Sequence, residues 1–268
     1  MNTIDLDAPS ATLADWLNHW LVHDVLVRRR SSTVKATRRA VRDLALVLGD
    51  VPLDELRVAH TTEAIARWST GGRSRGAIRK NLEVLRVAMR KARDGGLAND
   101  FDLYRLVLPP APSRPPRWWS PGDVTRLLDA TLGHPLDAAL GLAVVLGLRR
   151  GEVLGLTWRH VSFEERTLRV DQSRGEVTGF PWQTLPTKTP SSRRTLAMPW
   201  RIAEALELLH RRETEKASRL GAALSPDDYV FTSRSRAPIS PSYLNWELLR
   251  RTRQLGLERI RFHDLRHT

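Results

Sequence analysis

The chain has 268 residues, no cysteine, and 43 basic against 30 acidic residues, for a net charge of +13. The missing cysteines exclude disulfides, thiolate metal sites and cysteine nucleophiles. No apolar run reaches the roughly 18 residues of a membrane span, and "MNTIDLDAPSATLADW" lacks a basic-then-apolar leader pattern, so a cytoplasmic protein with no membrane partner is expected.

The positive charge is almost all arginine: only five basic residues are lysines, Lys35, Lys80, Lys91, Lys188 and Lys216. Guanidinium is a permanently charged planar fork that matches two phosphate oxygens at once. A cationic excess of this kind suits a polyanion, and nucleic acid is the expected partner. The length favours two domains, each able to bury its own core.

The first segment, residues 10–97, reads as a helical bundle. "ATLADWLNHWLVH" sets Leu13, Trp16, Leu17, Trp20 and Leu21 at three-and-four spacing. "SSTVKATRRAVRDLALVLGD" places Val34, Val41, Leu44 and Leu48 on one face, with Ser31 or Ser32 as N-cap and Gly49 as stop. "VPLDELRVAHTTEAIARWSTGG" and "SRGAIRKNLEVLRVAMRKARDGG" repeat the scheme; in the latter Ile78, Leu82, Leu85 and Met89 face inward and Arg79, Lys80, Arg86, Arg90, Lys91 and Arg93 outward. Residues 98–117, with five prolines in "VLPPAPSRPPRWW", read as an extended, semi-rigid linker.

The second domain, 118–268, opens with "SPGDV": Ser120 as N-cap, Pro121 in the first helical position, Asp123 in the third. "PLDAALGLAVVLGL" is apolar on every side and predicts a buried helix; "RRGEVLGLTWRHV" predicts a second, with Val153, Leu154 and Leu156 inward. "RTLRVDQS", "FPWQTLPTKT" and "RRTLAMP" predict a short antiparallel sheet, and "DDYVFTS" a short strand or extended piece. "RIAEALELLHRRETEKASRL" and "SPSYLNWELLRRTRQLGL" predict amphipathic helices, and "RFHDLRHT" the first turns of another. Trp16, Trp20, Trp68, Trp158 and Trp246 fall in helical patterns and read as core; Trp118 and Trp119 suit either nucleic-acid stacking or packing near the linker. The fold class is therefore mainly α with a small antiparallel β-sheet.

Four residues in this order can carry chemistry. Arg149 follows a buried apolar helix, where a charge needs a partner or a ligand, and Glu152 one turn later is the local partner that would hold its guanidinium. Lys188 lies between two threonines on the expected hairpin. His263 and Arg266 are three apart and share one helical face. Two guanidiniums, an ammonium and an imidazole, with no paired carboxylates, suit a phosphate and the extra negative charge of its transition state, and lysine or histidine can protonate a leaving alkoxide. No Gly-rich phosphate loop and no acidic cluster for magnesium is present, so metal-free phosphoryl transfer on a nucleic-acid backbone is expected, with no cofactor and no small-molecule substrate.

These boxes resemble the tyrosine recombinases of the phage-integrase type. "GLRRGEVLGLTWRHV" is similar to that family's first arginine box, "PTKTPSSRRTLAMP" to its β-hairpin lysine, and "FHDLRHT" to the start of its second box. The resemblance implies an N-terminal core-binding (SAM-like) domain over 10–97, a catalytic domain over 118–268, and double-stranded DNA as partner, bound by a homo-tetramer. It implies site-specific strand breakage and rejoining through a 3′-phosphotyrosyl intermediate. Arg149 and Arg266 would clamp the scissile phosphate, Lys188 would act as general acid, His263 as acid/base and phosphate donor, and Glu152 as support.

One departure stands out. No tyrosine follows the His263–Arg266 box; Tyr104, Tyr229 and Tyr243 all precede it and read as packing or DNA-surface residues. The expectation is a C-terminally truncated chain that binds DNA without cleaving it, and the alternative function is a non-catalytic DNA-binding protein. "HDLRH" also mimics a zinc-binding helical pair, but Arg266 would point a cation at the metal, so no metal is assigned.

Overall fold

The computed structural model describes residues 11–28, 31–98, 118–177, 180–187 and 193–268. The chain divides into two compact units, Met1–Arg114 with Glu176–Phe180, and Pro115–Gly175 with Pro181–Thr268. The expected linker lies mostly outside the described residues.

The first unit is built from α1 (Leu13–Trp20), a π-helical turn Leu21–Val25, α2 (Leu26–Arg28), α3 (Ser31–Leu48), α4 (Val58–Thr70) and α5 (Arg75–Asp94). Thr12 caps α1 with a reciprocal box: its hydroxyl accepts from the Asp15 N–H while the Asp15 carboxylate accepts from the Thr12 N–H. The two serines expected to cap the second helix fall inside α3 instead. Every residue placed inward from the sequence is buried, including Leu13, Leu44 and Leu85 at the centre. Trp16 adds a tie to its apolar packing, donating its indole N–H to the Ala88 carbonyl on α5 at 3.0 Å.

The second unit starts with α6 (Pro121–Thr131), capped by Ser120 and Asp123 as the sequence predicts. Helix α7 (Asp137–Val144) is buried on all sides. Helix α8 (Arg150–Gly155) leads to the strands β1 (Val161–Ser162), β2 (Thr167–Val170), β3 (Gln172–Val177), β4 (Phe180–Pro186) and β5 (Arg194–Ala197). They form two small sheets, β1-β2-β5 and β3-β4. In the first, both pairings are antiparallel, with Leu168 of β2 opposite Val161 of β1 and Leu196 of β5. Helices α9 (Trp200–Arg219) and α10 (Pro241–Gln254) complete the core, and the chain runs into a 3₁₀ turn, Asp264–His267. "DDYVFTS" forms no strand and joins only isolated bridges, Thr157 to Tyr229 and Thr232 to Pro238.

Trp119 belongs to this core and donates its indole N–H to the Glu258 carbonyl, whereas Trp118 is exposed. Trp246 corrects the sequence reading: its position in a helical pattern suggested core, yet it lies 56% exposed on α10. A helical pattern places a residue on a face without fixing whether another element covers that face. Tyr243 stacks on Trp246, and the Arg250 guanidinium lies 5.8 Å from the Trp246 ring centre. Among the described residues no helix is long and apolar enough to cross a membrane.

Leu85 and Leu46 test the first unit's core. Leu85→Ala, at a fully buried site, is expected to cost about 3 kcal/mol, whereas Leu46→Ala, on an exposed α3 position, should stay within about 0.5 kcal/mol. Urea unfolding followed by tryptophan fluorescence measures both.

Candidate functional site

The turn between α7 and α8 sets up the site. Gly147 adopts a φ of +64°, which a side chain rarely tolerates, and the Leu148 N–H returns to the Leu142 carbonyl. The chain leaves this turn at Arg149, the extended N-cap of α8. Glu152 at the third helical position accepts the Arg149 main-chain N–H at 2.9 Å and its guanidinium Nη1 at 2.8 Å. The expected pairing of Arg149 with Glu152 is thus present, and it doubles as a helix cap.

Helix α8 is pinned to β3 at close range. A methyl group on Gly151 would lie 2.8 Å from the Arg174 carbonyl oxygen, and one on Gly155 would lie 3.0 Å from the Arg174 main-chain nitrogen. These glycines are four apart on one helical face, so backbone meets backbone along it. Gln172 at the start of β3 closes the seam, donating its amide to the Gly155 carbonyl at 2.6 Å.

A second arginine reaches the same carboxylate from β5. Arg194 donates Nη2 to Glu152 Oε2 at 2.9 Å and Nη1 to Oε1 at 3.4 Å. Glu152 is only 2% exposed. Burial pushes its carboxyl up, but the Arg194 fork together with the main-chain and guanidinium donors of Arg149 outweighs that and holds it below the usual glutamate range. Sequence spacing could show the partner three residues away, not one arriving from a strand; the only signal was the arginine pair in "SSRRTL".

The second box forms the 3₁₀ turn Asp264–His267 with His263 at its cap. In this tighter helix residues three apart eclipse, so His263 and Arg266 do share a face, and both are exposed. Asp264 is buried beneath them and accepts the Arg261 main-chain N–H and both Nε and Nη2 of its guanidinium. Those hydrogen bonds hold its carboxyl below the usual aspartate range. The acid that lies between His263 and His267 in the sequence is thereby engaged by Arg261. The His267 ring packs edge-on to His263, with centres 5.3 Å apart. Among the described residues no group of three His, Asp or Glu could hold a metal.

Packing brings the two boxes together. Helix α7 packs on the terminal turn, and a methyl group on Gly147 would lie 3.6 Å from Arg266 Cγ. Arg266 therefore flanks the very turn that delivers Arg149. Lys188 lies outside the described residues; just before it, the Thr187 N–H donates to the Asp171 carbonyl at 3.0 Å. Of the tyrosines, Tyr229 is built into the fold: its hydroxyl bonds Thr184 at 2.8 Å and Arg174 lies over its ring. Tyr243 is half-exposed on α10, and Tyr104 lies outside the described residues.

Comparison with known proteins matches this architecture. Residues 118–268 match the model of the phage integrase family. The whole chain aligns, at 25% identity over 286 positions, with 73% of a tyrosine recombinase XerC-like protein of Caldanaerobacter subterraneus subsp. tengcongensis. The Tn1549 transposon integrase, solved in complex with circular intermediate DNA, is similar over 97% of this chain and 85% of its own, with a TM-score of 0.83 at 19% identity. Lambda integrase, solved as a tetramer bound to a Holliday junction, is similar over 97% of this chain and 69% of its own, with a TM-score of 0.67 at 20% identity. The helix-rich fold with small antiparallel sheets is the fold of these integrases.

Two outcomes follow. Because the Glu152 pKa is depressed in the folded state, its contribution to stability is complete above the ordinary glutamate pKa and disappears as pH falls through the lowered value. Glu152→Gln should therefore cost about 3 kcal/mol near pH 7, and the gap to the parent protein should narrow as the pH is lowered below the ordinary glutamate range in chemical denaturation. Gly151→Ala, forcing a methyl group onto the β3 backbone, should cost about 2 kcal/mol in the same assay.

Proposed function

The chain belongs to the phage integrase family, and from that premise we propose that it binds duplex DNA and serves site-specific recombination by tyrosine-recombinase chemistry. The observation that carries this reading is the juxtaposition of two arginines around one glycine turn. Arg149 is half-exposed and held from below by buried Glu152, and Arg266 packs beside Gly147. A guanidinium already oriented by the fold, as that of Arg149 is, needs little reorganisation to receive a phosphodiester and the charge that builds on it.

In this scheme Arg149 and Arg266 hold the two non-bridging oxygens of the scissile phosphate. A tyrosine hydroxyl attacks the phosphorus, a 3′-phosphotyrosyl bond forms, and the bond to the 5′ oxygen breaks. Lys188 gives that leaving oxygen its proton, and His263 donates to the phosphate and exchanges protons with the attacking group. Rejoining is the reverse, with the 5′ hydroxyl as nucleophile. No metal or cofactor is assigned. Residues 10–97 act as the core-binding domain and 118–268 as the catalytic domain, and four copies assemble on two recombining duplexes in the cytoplasm. None of Tyr104, Tyr229 and Tyr243 is assigned as nucleophile, so residues 1–268 by themselves bind the duplex without cutting it.

Duplex binding against salt tests the first part. Residues 1–268 should bind with a log–log slope steeper than about −4, and Arg149→Ala or Arg266→Ala should each lower affinity about tenfold and reduce the slope by about one. A flat slope, or no binding, sinks the proposal. A nicked suicide duplex tests the second part: no adduct resistant to denaturation is expected, and one abolished by Tyr243→Phe would reassign the nucleophile.

A further inference from the structure

The Glu152 carboxylate accepts from more arginine than Arg149 supplies. Its Oε1 takes Arg149 Nη1 at 2.8 Å and Arg194 Nη1 at 3.4 Å; its Oε2 takes Arg194 Nη2 and the Arg149 main-chain N–H, each at 2.9 Å. Arg149 is therefore held through one guanidinium nitrogen, and its Nε and Nη2 make no hydrogen bond to another described residue.

The same unit contains a control. Arg261 and Asp264 repeat the arrangement, with an arginine, an acid three residues later, and the arginine N–H donated to that acid at 2.9 Å. No second arginine is bonded to Asp264 among the described residues, and there the guanidinium commits its fork to the acid, although the Arg261 side chain lies 85% exposed. Nε and Nη2 both go to the carboxylate, at 2.9 and 2.7 Å. A buried carboxylate facing one guanidinium draws in its full fork, because its lone pairs have lost their water. Facing two, it is saturated by the fork with the better approach, and the other arginine keeps donors to spare.

From this comparison we propose that Arg194 is a positioning residue for the phosphate clamp, which acts by occupying one side of Glu152 so that Arg149 stays turned toward an anion. Two guanidiniums sharing one carboxylate leave a net charge of about +1 at the site; without Arg194 the Arg149–Glu152 pair is neutral. Arg194 is only 26% exposed at its side chain, against 50% for Arg149, which fits a support rather than a contact. The inference rests on the proposed binding of duplex DNA. Its rival is a direct contact, since Arg194 also lines an open cleft of about 680 Å³ with Arg169 and Arg193.

A mutant cycle on the whole chain separates the two. Arg149→Ala and Arg194→Ala are each expected to weaken duplex binding about five- to tenfold, and the double variant should be no weaker than Arg149→Ala alone. In a Glu152→Gln background, Arg194→Ala should add nothing. Arg194→Lys, which keeps a cation but cannot fork, should recover less than half the loss and guards against misfolding, with circular dichroism as the check. Losses that multiply, with a salt slope reduced by one more unit in the double variant, show direct contact and overturn the proposal. A DNA-free arm decides the coupling itself. The side-chain Nε resonance of Arg149, identified by its loss in Arg149→Ala, should shift in both Arg194→Ala and Glu152→Gln. No shift in Arg194→Ala overturns the inference; a shift in a protein that binds no duplex leaves the coupling standing and removes only the nucleic-acid reading.

Discussion

Glu152 sits where water cannot reach it, and a lone carboxylate there would be too costly for a marginally stable fold to carry. The cost is met by four donors arriving from two directions, the N-cap of α8 and the first residue of β5. That requirement ties helix to sheet with a defined geometry, because a hydrogen-bonded charge pair fixes direction as well as distance. The position of Arg149 and the placement of β5 beside the arginine box both serve to satisfy one anion.

The glycines of this region serve the same end by subtraction. Gly147 supplies a left-handed turn that aims the chain at Arg149 and leaves room for the stem of Arg266. Gly151 and Gly155 let α8 approach β3 closely enough for Gln172 to reach the Gly155 carbonyl. Side chains at Gly151 or Gly155 would push α8 and β3 apart, and one at Gly147 would strain the turn that precedes Arg149.

Arginine has two employments in this protein. Part of the excess lies on exposed faces, among them Arg79, Lys80, Arg90 and Lys91 along α5, and gives the basic surface expected of a partner for DNA. Another part serves the interior. Arg73 binds buried Asp43 at 2.6 Å, Arg250 and Arg251 both bind buried Glu247 at 2.9 Å, and Arg194 binds Glu152. Each of these carboxylates cancels one cation in the net charge of +13, so it is the count of 43 basic residues, not the net charge, that conceals this structural network. The Trp246–Tyr243 stack on α10 adds an exposed aromatic face beside such a pair, with Arg250 shared between the indole ring and Glu247.

Periodicity, capping chemistry and the three ordered boxes made most of the architecture readable without coordinates. The inward faces of α1, α3 and α5, the capped start of α6, the fully buried α7 and the pairing of Arg149 with Glu152 are all local, within about four residues, and local geometry is what sequence spacing encodes. Trp246 shows the limit of that reading, since amphipathic spacing marks a face but not the element that will cover it. The fork of Arg194, the glycine seam between α8 and β3, and the packing of Arg266 against Gly147 join residues from about 20 to over 100 positions apart. No period connects them, and only the closing of the chain on itself could decide that they meet.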